Sequence, residues 1–76
     1  MPIRIFVAED NAVIRNVICA LLENHPGWEV CGEAGDGVEA VEKIAELRPD
    51  IVLLAFDMPG KSGLQVTREL LQGWTS

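Results

Sequence analysis

Basic residues are scarce in this sequence, and their scarcity argues against one class of partner. Six lysines and arginines stand against twelve aspartates and glutamates, which gives a formal net charge of −6 at pH 7. A segment with so little positive charge lacks the electrostatic surface that binds a nucleic-acid backbone. We therefore predict that the segment itself binds no nucleic acid, whereas its charge is compatible with cations and with partners that carry basic patches.

Cysteines and long apolar runs are also scarce. Cys19 and Cys31 each fall within a hydrophobic pattern, which favours reduced core residues over a disulfide framework. No stretch approaches the roughly 20 apolar residues that cross a membrane. The N-terminus, Met1–Arg4, lacks the basic start and long apolar run of a signal peptide. These absences predict a cytoplasmic location and no membrane association.

Aliphatic residues are plentiful, and their spacing predicts three strands and three helices. Hydrophobic residues make up 49% of the sequence, which indicates a packed globular chain. Apolar runs predict strands at Ile3–Ala8, Trp28–Ala34 and Ile51–Phe56, with the last as the clearest buried strand. Helical periodicity follows each strand, and the third helix is expected over residues 64–72 with Gly73 at its end. Residues able to cap a helix precede the three periodic segments: Asn11, Asp36 and Ser62.

Strands and helices in alternation predict an α/β fold, with a parallel sheet and helices packed on its faces. Ligand sites in such sheets lie beyond the carboxyl ends of the strands. Glu9 and Asp10 follow the first strand, and Asp57 follows the third. Clustered carboxylates would suit Mg²⁺. Acidic residues also simply mark solvated strand ends and helix N-termini, so residue types alone leave both interpretations open.

Three segments resemble the receiver domains of bacterial two-component response regulators. The segments are Ile3–Asn11, Trp28–Ala40, and Arg48–Leu54 followed by Met58-Pro59-Gly60 and Gly63-Leu64. The sequences of these segments are most similar to the branch of response regulators that usually carries a C-terminal helix-turn-helix domain. The resemblance covers essentially all 76 residues in order. It implies a flavodoxin-like three-layer fold with strand order 2-1-3, and residues 1–76 would be a partial receiver domain holding the first three βα units.

The resemblance also implies roles for the residues at the strand ends. Glu9 and Asp10 correspond to the acidic pair that binds Mg²⁺, and Asp57 to a position that gives its backbone carbonyl to the metal. Met58, Pro59 and Gly60 form the active-site loop. The phosphoacceptor position is occupied by Ala55.

A methyl group cannot act as the nucleophile that accepts a phosphoryl group. The family's other phosphoryl-contacting residues, a Ser or Thr and a Lys, come from the fourth and fifth units, and no residue here corresponds to them. We therefore predict a non-enzymatic phosphorelay module that acts through protein contacts, with a sensor histidine kinase as a possible partner class.

Three alternative functions stay open at this point. One is a Mg²⁺-dependent phosphoacceptor that uses Asp57. Another is a structural half-domain that associates with itself. The third is a metal-dependent hydrolase, which ranks last because no histidine or cysteine lies near the acidic residues.

The truncated sheet predicts self-association. Without a fourth strand, Ile51–Leu54 would present an unpaired apolar edge that invites pairing with another chain. We expect a dimer or a strand-exchanged oligomer, with Trp74 as a candidate contact residue. The alternative is that the sequence is a fragment of a longer protein.

Overall fold

A three-stranded parallel sheet carries three helices in the computed structural model, which describes residues 1–75 and the side chains of residues 1–73. The strand order is β2-β1-β3, and both neighbouring pairs are parallel. The α/β class and the 2-1-3 order predicted from the sequence are confirmed. The elements are β1 Ile3–Ala8, α1 Ala12–Glu23, β2 Trp28–Ala34, α2 Gly37–Leu47, β3 Ile51–Leu54 and α3 Gly63–Thr75.

The central strand β1 separates two packed layers. Phe6 and Ala8 join a buried cluster with Ala40 and Ile44 of α2 and Val66 of α3. Side chains alternate across a strand, so the intervening residues of β1 point to the opposite face, which α1 covers. All four residues from position 5 to position 8 are buried. The core therefore lies mainly between the sheet and the pair α2–α3.

The third strand is shorter and more exposed than the sequence predicts. It ends at Leu54 rather than Phe56, and Ile51 and Leu53 are exposed. The prediction that it is the clearest buried strand was wrong, because β3 lies at the edge of the sheet while β1 lies at its centre. A continuous apolar run does not reveal how many neighbours a strand has.

The predicted helix starts are confirmed, but one predicted helix end is wrong. Asn11, Asp36 and Ser62 each accept, through a side-chain oxygen, the backbone N–H of the residue three positions on. Each satisfies a donor that the first helical turn leaves unpaired. Helix α3, however, continues through Gly73 to Thr75. A glycine costs a helix only about 1 kcal/mol, so it does not terminate one by itself.

Both cysteines are free and half-buried, so neither belongs to the buried core that the sequence predicts for them. Among the described residues, no helix is both long and apolar enough to span a bilayer. The side chain of Trp74, the candidate contact residue, lies outside the described residues.

Candidate functional site

The carboxyl ends of β1 and β3 lie side by side. The register pairs Ala8 with Leu54, and the N–H of Ala55 donates to the carbonyl of Ala8 at 2.9 Å. Glu9 therefore leaves β1 next to the point where Ala55 leaves β3. A cleft with a volume of about 260 Å³ opens between these ends and α1, lined by Val7, Ala8, Glu9, Ile18, Leu53, Leu54 and Ala55.

Position 55 is held firmly, and it presents a methyl group to this cleft. The N–H of Ala55 is bonded to Ala8, and its carbonyl lies so close to Gly63 that a Cβ added to that glycine would collide with the carbonyl oxygen. The N–H of Gly63 also donates to the carbonyl of Phe56 at 2.8 Å. The backbone is thus fixed on both sides of Ala55, and the side chain offers no nucleophile.

The three predicted metal ligands do not form a ready ligand group. Glu9 is half-buried, whereas Asp10 and Asp57 are exposed. Within residues 1–75, no three His, Cys, Asp or Glu side chains lie close enough together to hold a metal ion. No reaction step through a metal follows from this geometry. Magnesium binding at these residues stays a prediction.

The loop Met58–Gly60 is attached to the start of α2. The carbonyl of Pro59 accepts the N–H of Gly37 at 3.1 Å and that of Lys61 at 3.0 Å. Gly60 has a φ of +82°, a conformation that side chains other than glycine rarely adopt. Met58 packs against the core cluster. The loop predicted from the sequence is therefore attached to α2 and to the core, and Pro59 and Gly60 line a groove beside α2.

Sequence reasoning missed the contribution of Arg15. Its guanidinium donates to the backbone carbonyl of Glu9 at 2.7 Å and to the carboxylate of Glu33 at 3.1 Å, so it links the end of β1 to β2. The only signal in the sequence was a single arginine among the apolar residues of α1. Nearby, burial and then the charge of Glu33 raise the pKa of the Cys19 thiol.

Comparisons with known proteins agree with this architecture. The family model for the response regulator receiver domain matches residues 5–76. A protein-glutamate methylesterase/protein-glutamine glutaminase of Pyrococcus abyssi is 41% identical over 70 residues, which cover 92% of this chain and 19% of that protein. The response regulator GacA of Pseudomonas viridiflava is also 41% identical over 70 residues, covering 92% of this chain and 33% of that protein.

Solved structures show the same similarity in three dimensions. The response regulator domain of Thermotoga maritima CheB superposes with a TM-score of 0.92 at 35% identity, over 95% of this chain and 54% of that one. The receiver domain of the putative regulator NarL from Mycobacterium tuberculosis gives 0.93 at 33% identity, over 96% of this chain and 59% of that one. The chain spans about a fifth of the methylesterase relative and about half of each solved receiver structure. With its 2-1-3 parallel sheet and the cleft at the ends of β1 and β3, the chain belongs to the response regulator receiver domains of two-component systems.

Proposed function

We propose that this segment is a receiver module that does not accept a phosphoryl group and signals through protein contacts. The observation that supports this proposal is Ala55, which lines the cleft between β1 and β3 where the family resemblance expects an aspartate. Aspartyl phosphorylation requires a carboxylate oxygen as the attacking group. A methyl group has no lone pair to attack phosphorus, so residue 55 cannot accept a phosphoryl group. The segment is accordingly a binding module and not an enzyme, with a cytoplasmic location and a sensor kinase among its candidate partners.

Magnesium has a reduced role in this proposal. Receiver domains typically bind Mg²⁺ at the phosphorylation site. Glu9 and Asp10 are the side chains that would hold the ion here, with the backbone carbonyl of Asp57 as a further oxygen. A bound ion would supply positive charge at the rim. Mg²⁺ is commonly bound by one or two carboxylates while it keeps several waters, so the pair Glu9 and Asp10 is compatible with an ion at this position.

Mass spectrometry after incubation with a small phosphodonor and Mg²⁺ tests the proposal. We expect no mass increase for the wild-type chain. Ala55→Asp restores the missing nucleophile, and a phosphoryl group on this variant would show that a carboxylate at position 55 suffices without the Ser or Thr and the Lys of the fourth and fifth units. Asp57→Asn is the matched control, because it removes the nearest alternative carboxylate after β3. A phosphoryl group on the wild-type chain that disappears in Asp57→Asn would overturn the proposal in favour of an Asp57 acceptor. Absence of a gain in Ala55→Asp would show that Ala55 alone does not explain the lack of reaction.

Self-association is the second part of the proposed function, and a separate observation favours it. Ile51 and Leu53 of β3 are exposed although they are apolar and belong to the sheet. An edge strand with exposed apolar side chains is a common site of pairing or packing with another chain. A self-associating half-domain would bring a second copy to this side of the sheet.

A further inference from the structure

The backbone of the acidic pair after β1 is held from both sides. The N–H of Glu9 donates to the carbonyl of Ala34 at 3.1 Å, and the carbonyl of Glu9 accepts the Nη1–H of Arg15 at 2.7 Å. On the other side of the pair, the side chain of Asn11 caps α1. Asp10 therefore stands between two residues whose positions are fixed by hydrogen bonds.

Arg15 is itself held in one position, unlike an arginine on a solvated helix face. Its side chain is only 20% exposed, and its Nε–H donates to the carboxylate of Glu33 at 3.1 Å. A Cβ added to Gly35 would lie 3.2 Å from Nη1, so the guanidinium also packs closely against the turn after β2. Its two bonds leave from different nitrogens in the fixed directions of the guanidinium plane. The group thus joins α1 to the ends of β1 and β2 with little freedom to move.

A fixed backbone at Glu9 favours the binding of a cation by the carboxylates of Glu9 and Asp10. Ligands that are already in place lose less conformational entropy when the ion binds. Partners that hydrogen-bond to metal-binding residues, without touching the metal, typically change its affinity by about 10–100-fold when they are removed. Arg15 stands in this relation to the acidic pair, because it bonds the backbone of one member.

The positive charge of Arg15 acts in the opposite direction, so the two effects have to be compared. At a separation of about 8 Å, one positive charge weakens the binding of a divalent cation by about fivefold in water, and by less in salt. This effect is smaller than the 10–100-fold that is typical for a lost positioning bond. We therefore expect the positioning effect to decide the sign.

We infer that Arg15 is a positioning residue for Mg²⁺ binding by Glu9 and Asp10, and that it acts through its hydrogen bond to the Glu9 carbonyl. The guanidinium does not serve as a ligand, since it carries only N–H donors. The inference rests on the magnesium role proposed above. It is independent of whether residue 55 accepts a phosphoryl group.

Titration of the full chain with MgCl₂ at constant ionic strength, followed by the amide resonances of Glu9–Asn11, tests this inference. We expect Arg15→Met, which has a side chain of similar length and no donor, to weaken Mg²⁺ binding by about fivefold. Arg15→Lys keeps the charge but has a single nitrogen to replace Nε and Nη1, so its affinity should lie between those of Arg15→Met and the wild type. Arg68→Met is the matched control, because it removes the same charge from an exposed position on α3 and should not weaken binding. Circular dichroism checks that each variant is folded.

The results that would overturn the inference differ from one another. Tighter binding by Arg15→Met than by the wild type would show that Arg15 acts through its charge alone. Equal affinities of the wild type and both variants at position 15 would limit Arg15 to stabilising the fold. Should Arg15→Met unfold, the wild type and Arg15→Lys still decide the question, since equal affinities of these two would overturn the inference.

A failure of the magnesium role would be recognised separately. If the amides of Glu9–Asn11 in the wild type do not respond to Mg²⁺, the magnesium role and the positioning role of Arg15 are both overturned. The phosphodonor experiment would still decide the proposal about Ala55, because it detects a covalent change of mass rather than a bound ion.

Discussion

Gly37 is the position where one added methyl group should do most damage. It is the first residue of α2 and lies against the loop after β3. A Cβ at this position would come within 2.6 Å of the Cβ of Lys61 and would collide with the carbonyl oxygen of that residue. Because the obstacle is backbone, rotation of a side chain cannot relieve the contact. The loop is also held by the bond from the Gly37 N–H to Pro59, so moving it away would break that bond.

The expected loss of stability for Gly37→Ala is about 2 kcal/mol. Overpacking costs about 1–3 kcal/mol, and a weakened hydrogen bond to the loop costs about 1 kcal/mol. The higher helix propensity of alanine returns about 1 kcal/mol. A single core in a chain this small rarely supplies more than about 3–5 kcal/mol, so the variant should lose roughly half of its stability.

Gly73→Ala is the matched control, because a Cβ there meets nothing within 4 Å and the residue lies inside α3. The same substitution should therefore stabilise this site by about 0.5–1 kcal/mol. Urea unfolding followed by circular dichroism measures both variants, at one protein concentration because association raises apparent stability. We expect the midpoint to fall for Gly37→Ala and to rise for Gly73→Ala. A Gly37→Ala chain as stable as the wild type would refute the close approach of loop and helix.

Two further predictions concern Arg15 and its neighbours. Arg15→Gln should lower the free energy of unfolding by about 1–2 kcal/mol, because the charge-assisted bonds to the Glu9 carbonyl and the partly exposed Glu33 carboxylate are lost; urea unfolding should show no comparable loss for the exposed Arg68→Gln. The raised pKa of Cys19, due to burial and then to the charge of Glu33, should keep its thiol protonated and slow to alkylate at neutral pH. Glu33→Gln removes the negative charge and should shift the alkylation profile of Cys19, read by peptide mass mapping, to lower pH; an unchanged profile would contradict the assigned role of Glu33.

The local features of this fold could be predicted because they depend on neighbours in sequence. Asn11, Asp36 and Ser62 cap their helices through hydrogen bonds to residues only three positions further along the chain, so the residue types at these spacings are visible in the sequence. The alternation of strands and helices limits the topology to a parallel sheet. The end of α3 could not be predicted in the same way, since Gly73 only weakens a helix and the residues after it continue the turn.

The candidate site was predicted in its residues but only partly in its geometry. The loop Met58–Gly60 and the alanine at position 55 are visible in the sequence, and the structure places Ala55 beside Glu9 in one cleft. The bonds of Arg15 were missed because they join α1 to the ends of two strands. Magnesium binding by Glu9, Asp10 and the backbone carbonyl of Asp57 stays a prediction.

The sequence by itself determined the elements of this protein, their order and the absence of a carboxylate at position 55. These properties follow from periodicity, capping residues and residue identity, all of which are local. Only the tertiary structure decided which apolar residues are buried. Ile5 and Ile51 are the same residue type in paired positions, yet Ile5 lies beneath α1 at the sheet centre and Ile51 lies exposed at the edge. The burial of a residue depends on which other residues pack against it in space. In this fold it depends on which strands each helix covers.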